Sequence, residues 1–251
     1  MTILESQPHT FEPESHPLNF LSSAQAKSKP LENNRCKRIL IANGKGGCGK
    51  TTIATNIVSY FAKQGHNTAL IDCDPQASSL HWWKDRNQEL PFIYAIDGCK
   101  SQGLATKSWL MKQYPIDTRY VVYDTPAGLC GHQLDDLIRQ SDLIVIPVAP
   151  SAIDIRATTD FIKAVLLSPN LRNSKKRLAV VANRVRKNTL IYGKLEKFLQ
   201  SLHIDFVTSF RDTQNYVRTS EFGLGIHDLN QTNPNDKLEW DLLINWIDNQ
   251  A

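Results

Sequence analysis

From residue 37 onward, short apolar runs alternate with stretches in which apolar residues recur every three to four positions. The runs at 38–43, 68–71, 92–96, 120–124, 143–147, 177–183 and 206–210 are short and rich in Val, Ile and Leu, as buried strands are. Between them, helical periods span 50–64, 78–88, 103–114, 152–167 and 190–202, with a last one at 238–248. Within 50–64 the stripe is Ile53, Ile57, Tyr60 and Phe61, and Gly65 follows as a helix-ending cap. Strand and helix in alternation predict an α/β fold: a doubly wound, mostly parallel sheet with helices on both faces.

Residues 1–36 break this pattern. Pro8, Pro13, Pro17 and Pro30 stand among Ser, Asn, Gln and charged residues. Such a stretch buries too little apolar surface to offset ordering, which predicts a disordered tail before one domain at 37–251. Phe11, Leu18, Phe20 and Leu21 are the material for the alternative, a short docking motif. Of the tryptophans, Trp82 and Trp83 are read as packing on the sheet.

Composition narrows the setting. With 251 residues, 41% of them hydrophobic, the chain can bury one full core. Five cysteines form no CxxC pair and no disulfide framework, which favours a reduced, cytoplasmic setting. No run approaches a membrane span, and the N-terminus lacks the apolar core of a secretion signal. The net charge is only +4, yet between Arg156 and Lys197 eleven basic residues face Asp160 and Glu196 alone. The basic charge is therefore concentrated, as on a surface that meets phosphates.

Three motifs carry chemistry. Gly44-Lys45-Gly46-Gly47-Cys48-Gly49-Lys50-Thr51-Thr52 follows the first strand and opens the first helix, and fits G-x-x-x-x-G-K-[ST]. Glycines let the backbone wrap a polyphosphate, and the helix presents its positive end to the same anion. Lys50 then reaches the β- and γ-phosphates, Thr51 offers a hydroxyl to Mg²⁺, and Thr52 donates to the α-phosphate. Asp72-Cys73-Asp74-Pro75-Gln76 ends the second strand at the crevice where open α/β sheets bind ligands. Tyr120-Val121-Val122-Tyr123-Asp124 is a buried strand ending in an acid suited to hold Mg²⁺ through water. Thr125-Pro126-Ala127-Gly128 after it has the place of a loop that senses the γ-phosphate.

With Lys45 ahead of the glycines, the first motif resembles the deviant Walker A loop of the ParA/MinD family, and DxDPQ resembles that family's Walker A′ motif. The resemblance covers about residues 37–230. It implies an ATPase using ATP and Mg²⁺, in which Lys45 reaches the partner subunit's nucleotide across a homodimer, Asp74 orients or deprotonates the attacking water, and Asp72 supports the hydrated metal. It also implies adenine contacts from Asn183, at a strand end, and from the segment holding Arg211 and Asp212. The implied cycle is an ATP-bound dimer that holds DNA without sequence preference, associates with the nucleoid, and releases on hydrolysis stimulated by a ParB-like or cargo-adaptor protein. Arg186, Lys187, Arg211 and Arg218 are the first DNA-contact candidates. Such proteins position plasmids, chromosome origins or organelles.

Two alternatives belong to the same wider group. One is a MinD-like, membrane-associated regulator, but the last helix carries Asp236, Glu239, Asp241 and Asp248 instead of a basic face, so no stable membrane association is expected. The other is an iron–sulfur component like the nitrogenase iron protein, raised by Cys99 and Cys130, whose neighbours otherwise match that family poorly.

Overall fold

The computed structural model describes residues 35–99, 113–172, 174–186, 189–201, 204–231 and 233–250. The tail assigned to 1–36 falls almost wholly outside the described residues, as do most of the helix expected at 103–114 and the DNA-contact candidate Lys187.

Seven strands form one sheet: β1 (Lys37–Ile41), β2 (Thr68–Asp72), β3 (Tyr94–Asp97), β4 (Tyr120–Asp124), β5 (Leu143–Val148), β6 (Arg177–Val185) and β7 (Asp205–Arg211). Their order is β3-β2-β4-β1-β5-β6-β7, and every neighbouring pair is parallel. Parallel neighbours require crossovers, and the helices that supply them cover both faces. Alternation along β1 divides the core accordingly. Leu40 and Ala42 join Ile144, Phe161, Ile162 and Val165 on one face, while Ile39 and Ile41 join Ile53, Ile57, Phe61, Trp240 and Leu243 on the other.

The helices are α1 (Lys50–Lys63), α2 (Ser78–Lys84), α3 (Gly131–Gln140), α4 (Ala152–Leu167), α5 (Pro169–Arg172), α6 (Leu190–Gln200), α7 (Asn215–Glu221) and α8 (Pro234–Asp248). Both early tryptophans pack as expected: Trp82 is buried and donates to the Leu224 carbonyl at 3.1 Å, and Trp83 donates to that of Ile93 at 2.8 Å. Three helices, α3, α5 and α7, were not foreseen. In α3 Leu134 and Ile138 are buried and Leu137 packs beside them, a helical spacing confined to one short stretch of ten residues. The last helix begins four residues earlier than expected, because the Asn233 side chain accepts from the Asn235 amide and Pro234 occupies the first turn.

Candidate nucleotide site

The central strand β1 delivers its C-terminal end into the loop 42–49, flanked by β4 on one side and β5 on the other. The loop is held from below by two buried asparagines. Asn43 donates to the Pro147 carbonyl at 2.7 Å and to Thr158 Oγ1 at 2.9 Å, and its Oδ1 accepts from the Lys45 amide at 3.0 Å. Asn183 donates to the Cys48 carbonyl at 2.9 Å. Gly49 has φ +94°, and a Cβ there would stand 1.9 Å from Asn183 Nδ2, so only glycine fits. Gly47, with φ +78°, has open space around it, as a loop facing a ligand requires.

Lys50 is buried, and its ammonium donates to the Lys45 carbonyl at 3.2 Å, across the mouth of the loop. Lys45 itself is half-buried and is not among the residues lining the crevice above the loop. That crevice, of about 600 Å³, is lined by Gly46, Gly47, Gly49, Lys50, Thr51, Thr52, Asp74, Pro75, Gln76, Ser78, Thr125, Pro126, Ala127 and Arg184. The first two motifs and the loop that follows the third thus converge on one cavity.

The three acids differ in their surroundings. Asp72 is buried and spent on backbone: Oδ1 accepts from the Asp74 amide at 2.9 Å, and Oδ2 from the Ser79 and Leu80 amides at 3.0 and 3.1 Å. It shapes the DxDPQ turn and caps α2, a duty the expectation of metal support did not include. Asp74 lines the crevice and accepts from the Gln76 amide through Oδ1 at 2.9 Å. Asp124 is fully buried, with no hydrogen-bond partner for either carboxylate oxygen among the described residues. Burial pushes its pKa up to about 7, helped by the Asp72 charge; the hydroxyls of Thr51 and Ser79 and the Lys50 ammonium counter that push without closing a hydrogen bond. An orphaned carboxylate beside a threonine hydroxyl and a lysine fits a hydrated divalent cation.

On the β6–β7 side, Asn183 is buried, its Oδ1 also accepts from the Arg184 amide at 3.0 Å, and its side chain braces the loop at the strand end where an adenine contact is expected. Arg211 donates to the buried carboxylate of Asp236 through Nε and through Nη2 at 3.1 Å, while its amide donates to Glu239 at 3.0 Å. Two acids of α8 are thereby structural. Arg186 pairs with Asp212 at 2.7 Å on the surface, and Arg218 is exposed. Lys176, counted in the basic region, donates to the carbonyl of Ile138 at 2.6 Å near the end of α3. Sequence reasoning missed two residues here. Asn43 had only its place at a strand end as a signal, and Arg184 had none beyond its charge. Cys130 is exposed ahead of α3, and Cys99 follows the edge strand β3 close to Cys73.

An all-parallel sheet with a phosphate-binding loop at the end of its central strand defines a P-loop nucleotide-binding protein. The chain belongs to the family described as the CobQ/CobB/MinD/ParA nucleotide binding domain, whose pattern matches residues 39–226. It is 30% identical over 183 residues to the maintenance of carboxysome distribution protein A of Halothiobacillus neapolitanus, covering 71% of this chain and 81% of that one. With protein ParA of Rhizobium radiobacter it shares 29% identity over 46% of this chain and 50% of the relative. Among solved structures, apo McdA of Cyanothece superposes with a TM-score of 0.68 at 16% identity, covering 84% of this chain and 99% of that one. A plasmid partition protein of Borrelia burgdorferi bound to AMPPNP gives 0.66 at 17%, covering 85% and 99%. At those identities the structural likeness speaks for the fold.

Proposed function

We propose that the chain is a ParA-like positioning ATPase, with residues 37–251 as its catalytic domain and 1–36 as an appended tail. The observation that carries this reading is the buried, partnerless Asp124 beneath a phosphate-binding loop, which supports a metal–nucleotide site over a structural turn. Loop amides and the α1 N-terminus hold the phosphates, and Lys50 leaves the Lys45 carbonyl for the β- and γ-phosphates. Thr51 and Asp124 hold Mg²⁺, Asp124 through water; when bound, the metal neutralises charge developing on the phosphates. Asp74, fixed by the DxDPQ turn, orients the attacking water. Lys45, outside its own crevice, acts on the nucleotide of a second copy, giving an ATP-dependent homodimer.

The dimer presents the basic region of both copies to DNA, and a ParB-like or cargo-adaptor protein stimulates hydrolysis and release. Likeness to a carboxysome distribution protein and to ParA supports positioning as the task. A membrane role has less support: no described helix is long and apolar enough to cross a membrane, and Trp240, Leu243, Ile244 and Ile247 of α8 are spent on the core.

The test is ATP turnover and sedimentation with ATP and Mg²⁺ for the parent, Lys50→Ala, Asp74→Ala and the Lys45→Ala, Asp74→Ala pair. The parent should turn over slowly, Lys50→Ala should lose nucleotide binding, and Asp74→Ala should dimerise without turnover. The double variant should stay monomeric. Parental turnover by Asp74→Ala, or a stable dimer of the double variant, defeats the reading.

A further inference from the structure

Two thiols come together beside the DxDPQ turn. Cys73 stands inside the turn, between Asp72 and Asp74, and Cys99 follows β3, the edge strand paired with β2. The register sets Asp72 against Asp97, and the Gly98 amide continues the ladder by donating to the Asp72 carbonyl at 2.7 Å. Cys73 Sγ lies against that next position: a Cβ at Gly98 would stand 3.0 Å from it, so the missing side chain is what lets the sulfur approach. The chain then bends, with the Cys99 amide donating to Asp97 Oδ1 at 3.0 Å, which sets the second thiol one residue beyond the first thiol's contact. Burial pushes the Cys73 thiol well above its ordinary range, and Cys99 adds to that push more than Asp72 or Asp124 does, as the nearer group should. Neither sulfur is bridged; Cys73 is 8% exposed, and Cys99 is partly open to solvent. The proposed ATPase cycle uses neither thiol.

We propose that Cys73 and Cys99 form a reversible disulfide that ties the DxDPQ turn to the end of β3 and slows ATP turnover; its effect on turnover rests on the ATPase reading above. Inside reducing cells such a bond is transient and serves redox sensing or catalysis. The oxidant is a small disulfide such as oxidised glutathione. Cys99, the accessible thiol, attacks as thiolate on one of its sulfurs and one glutathione thiolate leaves; Cys73 then attacks Cys99 Sγ, and the second glutathione thiolate leaves. The two protons given up by the cysteines pass to the two glutathione thiolates, so the protein loses two electrons and one glutathione disulfide becomes two glutathiones. Turnover is the property at stake because the turn is held by short contacts on both sides of Cys73. The Cys73 amide donates to the Asp124 carbonyl at 2.8 Å, and the Asp74 amide donates to Asp72 Oδ1 at 2.9 Å. A covalent bond from Cys73 toward β3 pulls against both and displaces Asp74 in the crevice, while the phosphate loop at 44–52, on another strand end, keeps its nucleotide.

The test incubates the full chain with oxidised glutathione, alkylates the remaining thiols and maps the disulfides by mass spectrometry, with ATP turnover and ATP affinity measured before oxidation, after it, and after dithiothreitol. The Cys73 and Cys99 peptides should be recovered linked. Turnover should fall by about tenfold or more while ATP affinity holds, and dithiothreitol should restore the rate. Cys99→Ser should turn over as the reduced parent does and keep that rate in the oxidant. The linkage is read on the parent alone and so does not depend on how the variant folds. Failure to recover the linked peptides, or linkage with parental turnover, overturns the proposal. So does an equal loss in Cys99→Ser, which assigns the effect to another cysteine. A reduced parent without turnover defeats the ATPase reading instead, and the mass map then decides the disulfide by itself.

Discussion

Among the described residues, the fold leaves a buried carboxylate without a partner on one flank of the phosphate loop, where β4 and β2 end, and on the other, where β6 and β7 end, it pairs two arginines with carboxylates. Asp124 has neither oxygen satisfied, and Lys50 makes do with one carbonyl. Across the loop, Arg211 holds Asp236 and Arg186 holds Asp212. A group that the fold satisfies stabilises the fold, whereas one that it leaves unsatisfied at a cavity is kept for something that comes and goes.

The comparison breaks most visibly at Asp236. Its carboxylate is buried and takes two bonds from Arg211 and one from Asn215 Nδ2 at 3.2 Å. Asp236→Ala strands the Arg211 guanidinium, itself 36% exposed, and should destabilise the chain by about 3 kcal/mol. That is a fall of roughly 6–12 °C in melting temperature. Nucleotide affinity of the protein that remains folded should hold within about twofold. If the melting temperature holds and nucleotide affinity collapses instead, Arg211 serves the ligand and the division between flanks is wrong.

The difference between flanks also explains what could be read from the sequence. Phosphate chemistry demands its residues at fixed spacing on consecutive loops, so 44–52, 72–76 and 120–124 announce themselves without knowledge of the fold. Asn183 and Arg211 sit at strand ends that look equally suited, but their duties are set by partners far along the chain: Cys48 for one, Asp236 for the other. Nothing local marks such a pairing. The inner strands were legible because both-face burial makes apolar runs, and the partly buried edge strands β3 and β7 still carry enough apolar residues to be read. Helix α3, whose apolar stripe is only Leu134, Leu137 and Ile138, was not read, and neither was the bulge at 183–184, which follows from the register with β7. The acidity of α8 was legible as composition but misleading as surface, since Asp236 and Glu239 point inward.

Asp124 sharpens the comparison from the other side. If its isolation serves a metal, it is a burden to the empty protein, and Asp124→Asn should stabilise the chain in chelator at pH 8. Its pKa, raised to about 7 by burial, sets the scale at roughly 2 kcal/mol, or about 4–8 °C, once relaxation around the carboxylate is allowed for. The same variant should lose Mg²⁺-dependent turnover and the thermal shift that Mg²⁺ with ADP gives the parent. A variant less stable than the parent in chelator would mean that the carboxylate is satisfied in solution and that the flanks do not differ in kind.

The smallest effect on stability should come from the surface pair. Arg186 and Asp212 are 76% and 38% exposed at their side chains, and such a pair contributes within about 0.5 kcal/mol, so Asp212→Asn should leave the melting temperature unchanged. Its effect on DNA is another matter. In the parent, Asp212 neutralises a guanidinium that the ParA-like reading offers to phosphate; the amide releases it and adds one unit of positive charge to the face. Binding of unrelated duplexes with ATP should strengthen a few-fold at low salt, and the dependence of log affinity on log salt should steepen by about 0.9 for each phosphate gained per copy. Arg186→Glu should do the reverse, again without a change in melting temperature. If both variants bind as the parent does at every salt concentration, Arg186 lies off the DNA face, and its pairing with Asp212 is an ordinary surface contact of the satisfied flank.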